Sequence, residues 1–204
     1  MKKKEALIHF EENYFKKYLD ESLLNLDEYY EIHKEKLSEA FIKSFIQICT
    51  KIREKQLKGE KGEIEFINYS ILRTNIINGI YKYSILAYDN KWYFDLNECM
   101  VEYDVSWAFN FFNNFLELLK EKRKYYLNTI LEPDVEIMAL KTVDLYNKSI
   151  VKLARDIMPE AIKVKEYQEI EKEESVEIRV GEYKSISEVV YNDVRQEKDV
   201  IDEK

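Results

Sequence analysis

Histidine, cysteine, glycine and proline are all scarce in this chain, with 2 His, 2 Cys, 4 Gly and 2 Pro among 204 residues. The two histidines, His9 and His33, sit among charged neighbours in a helical pattern. They form no HExxH and have no Cys/His spacing beside them, so no metal site is expected. Glycines occur only at 59, 62, 79 and 181. Neither a GxGxxG loop nor a Walker A loop can be built from them, and no GxSxG elbow exists. Cofactors are therefore expected to be none. Cys49 and Cys99 lie far apart without CxxC spacing and read as two reduced thiols. So little Gly and Pro leaves scant material for long loops, and the chain should be dense in regular structure.

Long apolar runs are missing too. Nothing approaches the roughly 18 residues of a membrane span. Met1-Lys2-Lys3-Lys4 is followed at once by Glu5, and His9, Glu11 and Glu12 break the apolar residues beyond it. No signal peptide is read there, and the expected location is the cytoplasm.

Charge is abundant. Charged residues make up 35% of the chain, with a net charge of −8. An acidic balance argues against nucleic acid as a partner, which would call for a basic face. It suits a basic protein partner and suits plain solubility equally well. Tyrosine numbers 16, and it is a residue of binding hot spots. The same sequence is heavy in Lys, Ile and Asn, all read by A/T-rich codons, so a low-GC bacterial genome accounts for the tyrosines without any function.

At this length a single domain over residues 1–191 is expected, on the usual prior of about 150 residues per domain. Residues 1–58 are helical in pattern. One stripe runs Ala6, Leu7, Phe10, Tyr14, Tyr18 and another Leu37, Phe41, Phe45, Ile48, Ile52, with a change of phase at Asp20–Asp27. That change predicts two or three helices rather than one rod. A second helical region covers 105–158. It opens with Trp107, Ala108, Phe111, Phe112, Phe115, Leu116 and Leu119, and Lys120–Lys124 suit its C-terminal end. Pro133 fits a first helical turn. The seam Ala139, Val143, Tyr146, Ile150, Leu153, Ile157 then repeats at four–three spacing up to Pro159. Val176, Ile178 and Val180 alternate, so residues 175–191 read as one or two strands at an edge of the sheet. Residues 192–204 read as a frayed or disordered tail.

Residues 63–97 carry the strongest local signals. Asn78-Gly79 parts Ile71–Ile77 from Ile80–Leu86, the pattern of a type I′ hairpin. Asp89-Asn90 parts the second run from Lys91–Leu96, a weaker signal of the same kind. Together they predict a three-stranded antiparallel meander. The fold expected is thus α+β: N-terminal helices, a central antiparallel meander of three to five strands, and two further helices packed on the sheet.

With two-residue turns, Ile77 faces Ile80 and Tyr88 faces Lys91. One face is then mostly apolar and packs on the core. The other carries a row of Arg73, Ser84 and Asp95, rimmed by Tyr69, Tyr88 and Tyr93. An arginine reaching a carboxylate across a serine is either a recognition patch or an ordinary cross-strand ion pair contributing roughly 0.2–1 kcal/mol. A one-residue bulge in any strand would dissolve the row. A further acidic group, Asp89, Asp95, Glu98, Glu102 and Asp104, surrounds the end of the meander. It reads as a solvated loop or as the source of an acid/base pair.

These features point first to a non-enzymatic cytosolic protein-binding module, an adaptor or an immunity-type inhibitor masking a basic partner. Two alternatives stand beside it. One is a small enzyme using Arg73 with Asp95 or Glu98. The other is a structural homodimer joined through the Ala139–Ile157 seam, against a monomer.

Overall fold

Residues 3–57 form a continuous helical path. In the computed structural model, which describes residues 2–192, α1 (Lys3–Phe10) passes through one π-helical turn (Glu11–Phe15) into α2 (Lys16–Leu57), a helix of 42 residues. Then follow β1 (Ile64–Ile71), α3 (Arg73–Ile77), β2 (Lys82–Tyr88), a 3-10 turn (Trp92–Phe94) and β3 (Met100–Asp104). The chain continues with α4 (Ser106–Arg123), a second 3-10 turn (Lys124–Tyr126), α5 (Glu132–Leu140), α6 (Val143–Ala161), α7 (Lys165–Gln168), β4 (Lys172–Glu182) and β5 (Ser187–Asn192). The expected tail lies outside the described residues, apart from Asn192 at the end of β5.

The break expected at Asp20–Asp27 does not occur. α2 runs unbroken through those residues, with Ser22 and Leu26 buried among them. The chain divides into two compact units, residues 1–33 with 105–149 and residues 34–104 with 150–204.

The first unit is helical. Ala6 and Phe10 are fully buried, and the next buried position is Phe15, five residues on. The π turn supplies that extra residue and shifts the stripe off Tyr14 and Tyr18. Tyr146 donates to Ser22 Oγ (2.9 Å), and Ser22 in turn donates to the Phe111 carbonyl (3.0 Å). Phe112 meets Tyr146 edge-on, and Phe15 meets Phe115 in the same way. α5 starts with Pro133 in its first turn and Asp134 accepting from the Leu131 N–H.

The second unit holds a five-stranded mixed sheet in the order β3-β2-β1-β4-β5. β1, β2 and β3 form the antiparallel meander, β4 lies parallel to β1, and β5 returns antiparallel to β4. The correction to an all-antiparallel sheet is therefore β4. β1 is buried along almost its whole length, as befits a central strand flanked on one side by a parallel neighbour. Its inner side chains Ile67, Tyr69 and Ile71 pack under the second half of α2, where Phe41 stacks on Tyr69 at 4.8 Å and meets Tyr103 edge-on. Buried Gln56 donates to the carbonyls of Gly62 and Glu171 and accepts from the Glu171 N–H, tying the helix end to the sheet.

The seam Ala139–Ile157 is interrupted after Leu140 but buried throughout, each of its six side chains being at most 8% exposed. That face is covered within the chain. α6 runs on through Pro159 to Ala161, a position in its last turn.

The meander has a different register from the one expected. Ser70 pairs with Ser84 and Tyr69 with Ile85, three positions away from the Asn-Gly hairpin register. Asn78-Gly79 instead ends α3. The Gly79 N–H reaches the Ile76 carbonyl and the Ile80 N–H reaches that of Asn75, with Gly79 at φ +70° and Asn78 at φ −85°. This is a Schellman cap. A type I′ turn needs positive φ at both residues, a cap at the glycine alone, so the dipeptide serves either. The third strand is Met100–Asp104, not Lys91–Leu96, because residues 89–99 are committed to a loop.

Candidate functional site

Five of the sheet's side chains on the face away from α2 build the site's floor and rim. Period-two alternation puts Phe66 and Asn68 of β1, Leu86 and Tyr88 of β2, and Arg179 of β4 on that outer face. Phe66, Leu86 and Tyr88 are buried there under Trp92, Tyr93, Met100 and Tyr183. Trp92 lies 3.9 Å from Phe66 between ring centres, Tyr93 meets Tyr88 edge-on at 5.4 Å, and Tyr183 meets Tyr93 at 6.2 Å. Arg179 holds its guanidinium 5.4 Å from the Trp92 ring while bonding Glu177 and Ser187. Lys184 lies over Tyr93 and Tyr183. Burial pushes the Tyr88 phenol up, and the neighbouring Tyr183 and Tyr93 add to the shift.

The loop over this face is anchored by a buried ion pair. Lys61 and Asp95 are each 1% exposed at the side chain and bonded to one another. The Lys61 ammonium also donates to the carbonyls of Ala87 and Asn97, both at 2.9 Å. Asp95 accepts from the backbone N–H groups of Asp89 and Asn97. Burial pushes its carboxyl up, but Lys61 and the two N–H groups outweigh that and hold it below its ordinary value. Asp89 adds an Asx turn by accepting from the Lys91 N–H. On either side of Asp95 the side chains turn outward: Phe94 is 84% and Leu96 94% exposed.

Three local strains mark the same place. Trp92 has φ +52°, a backbone region that bulky residues avoid at about 1–2 kcal/mol. Asn68 is 3% exposed, and its Oδ1 has no hydrogen-bond donor among the described residues. Trp92 Nε1 is likewise buried without an acceptor among them. Each such group costs about 1–3 kcal/mol of desolvation.

The six site residues expected from the sequence separate into three places. Ser84, Tyr88 and Tyr93 share the outer face. Tyr69 is fully buried on the inner face beneath Phe41, with its hydroxyl 3.3 Å from Ser44. Arg73 opens α3 and donates to Glu182 at 2.8 Å. Asp95 is spent on Lys61. The row Arg73–Ser84–Asp95 is thus not assembled, since it depended on the hairpin register. Glu102, of the acidic group, is taken by Lys82 at 2.6 Å. Among the described residues no three His, Cys, Asp or Glu side chains converge as metal ligands, and no helix is long and apolar enough to cross a membrane.

Sequence reading missed Lys61, Asn68, Trp92 and Tyr183. Lys61 stands in a short basic, glycine-containing stretch between helix and strand, with no pattern that marks it for burial. Asn68 precedes the Ile71–Ile77 run that the Asn-Gly signal marks, and Tyr183 reaches the site only through the parallel pairing of β4. The alternation of Phe94, Asp95 and Leu96 was the one local signal available, and strand logic assigned it to pairing. Comparison with protein-family models, curated proteins and solved structures finds no match for this chain.

Proposed function

We propose that the chain is a non-enzymatic protein-binding module, an adaptor or immunity-type inhibitor, that meets its partner through the 89–99 loop and the outer sheet face. The observation that carries this reading is Phe94 and Leu96 held in water on either side of a clamped Asp95. Burying a Leu or Phe side chain is worth about 1.5–3 kcal/mol. A loop already fixed by a buried ion pair loses little further freedom when it docks, so most of that gain remains for affinity. Aromatic and leucine anchors beside a tyrosine-rich surface match the composition of interface centres. Exposed Glu98, Glu102 and Asp104 line the adjacent edge, and with a net charge of −8 they favour a basic partner.

The test is affinity capture of the tagged chain from its native cells beside a Phe94→Asp, Leu96→Asp double variant. Circular dichroism and melting should first show that the variant is folded. A protein recovered in near-equal amount by the wild type and lost by the variant supports the reading. A partner held equally by both removes these two side chains, and with them the basis of the proposal.

A further inference from the structure

β3 borders the sheet: β2 pairs with one side of it, and among the described residues no strand pairs with the other. The register decides which of its backbone groups face outward. The Ala87 N–H bonds the Cys99 carbonyl, so Ala87, Ile85 and Tyr83 exchange their backbone bonds with Cys99, Val101 and Tyr103. Met100, Glu102 and Asp104 therefore turn theirs away from β2. Lys51 agrees with this assignment, since its ammonium reaches the Met100 carbonyl from α2 at 2.7 Å. The backbone N–H and carbonyl of Glu102 have no partner among the described residues, and its side chain is exposed.

Resting on the binding-module reading, we infer that β3 takes up an extended segment of the protein partner, rich in lysine or arginine, as a further strand. The Glu102 N–H donates to one residue of that segment and the Glu102 carbonyl accepts from the same residue, as in any hydrogen-bonded antiparallel pair. Charge selects the occupant. Glu98, Glu102 and Asp104 are exposed on β3 and just before it, and cationic side chains at alternate positions of the incoming strand stand on the face that carries Glu102 and Asp104. A second copy of the chain suits this edge poorly. A symmetric pair centred on Glu102 sets that residue opposite its own mate, and like charges directly opposite destabilise a ladder. The exposed Leu96 lies four residues before Met100, so strand and loop form one continuous stretch of chain.

The probe is the peptide acetyl-Thr-Lys-Val-Lys-Val-Lys-Thr-amide, beside a twin N-methylated at its lysines. The twin keeps the charge but loses the N–H groups of the edge that sets lysine opposite Glu102. Amide hydrogen exchange of the full chain is followed by NMR. The expected result is that exchange at the Glu102 N–H slows roughly tenfold at saturating peptide, with β5 unchanged. The twin should bind roughly tenfold more weakly, as the loss of two backbone hydrogen bonds implies. Equal binding of the two peptides, or protection absent from Glu102, overturns the inference. Protection of Glu102 that rises with protein concentration, without peptide, gives the edge to a second copy and overturns it too. None of these readings needs a variant to fold. Glu102→Pro removes the outward N–H and spares the bonds to β2, whereas Glu102→Ala keeps that N–H, so only the proline should lose the peptide. Both variants are also carried through the affinity capture. Partner lost by the proline variant and kept by the alanine one supports the strand. Partner kept by both but lost by the Phe94→Asp, Leu96→Asp variant removes the strand and leaves the loop, and the reverse pattern removes the loop and leaves the strand.

Discussion

Asp95 occupies a place where one side chain organises a whole loop, and its neighbours point to water because it points inward. Removing it would leave the Lys61 ammonium buried without its counter-charge. Breaking a buried pair in this way costs about 3–5 kcal/mol, so Asp95→Ala should lower the urea midpoint by a corresponding amount, whereas loss of the exposed Lys82–Glu102 pair should leave it nearly unchanged. The pH dependence has a definite sign. The folded carboxyl lies below its ordinary value of 3.8, so its contribution is complete above pH 3.8 and is lost as the pH falls below that through the depressed folded value. Urea titrations of the wild type and Asp95→Asn from pH 7 to pH 2 should therefore show a gap in stability that is constant at neutral pH and closes below pH 3.8. A gap unchanged at pH 2 would refute the assignment.

Among the elements, β4 and β5 depend on a close approach at Gly181. A Cβ there would overlap the carbonyl oxygen of Ile186 and the backbone of Ser187, atoms of the main chain that cannot rotate aside. Gly79 presents the opposite case, with positive φ but open space around it. Gly79→Ala should cost about 1 kcal/mol, the price of a left-handed alanine. Gly181→Ala should cost more, about 1–3 kcal/mol, as overpacking does, and should also disturb the amide signals of β5 in an NMR spectrum. Equal melting temperatures for the two variants would contradict the close packing of the β4–β5 pair. The elements also show where local reading stops. The second strand was legible at 80–86 against 82–88 observed, as were the alternation of Val176, Ile178 and Val180 and the helical character of residues 1–58, though not their single continuous path. Asn78-Gly79 was not, because the dipeptide encodes a positive φ and leaves open whether a helix or a strand precedes it.

For the whole molecule, both cysteines belong to the sheet unit and both are buried, Cys49 fully and Cys99 to 1%. Burial pushes each thiol up, so the thiolate that reacts with reagents is doubly suppressed in the folded state. Labelling with an aromatic disulfide at pH 8 should be slow in native buffer and fast in urea. It should quicken at Cys99 in Asp95→Asn, since Cys99 closes the loop that Asp95 anchors. Rapid labelling of both thiols in the native wild type would contradict this core. At the same scale the net charge predicts that association with a basic partner slows as salt is raised, because long-range attraction is screened beyond about 10 Å at 0.1 M.

By itself the sequence determined what depends on neighbours along the chain. The class of the fold and the helical character of its segments follow from period and propensity, which act over a few residues. Strand period, however, puts Phe94 and Leu96 on the core face, and the structure exposes both and buries the Asp95 side chain. Tertiary structure alone decided which strand lies beside which, that β4 runs parallel to β1, and that α2 runs unbroken from Lys16 to Leu57. It also decided that Lys61 meets Asp95, and that Trp92 and Tyr183 cover Phe66, Leu86 and Tyr88. Those choices turn on burial and on pairing of charges and hydrogen bonds between residues as far apart as Lys61 and Asp95, or Phe66 and Tyr183, and no local pattern records who the distant partner is.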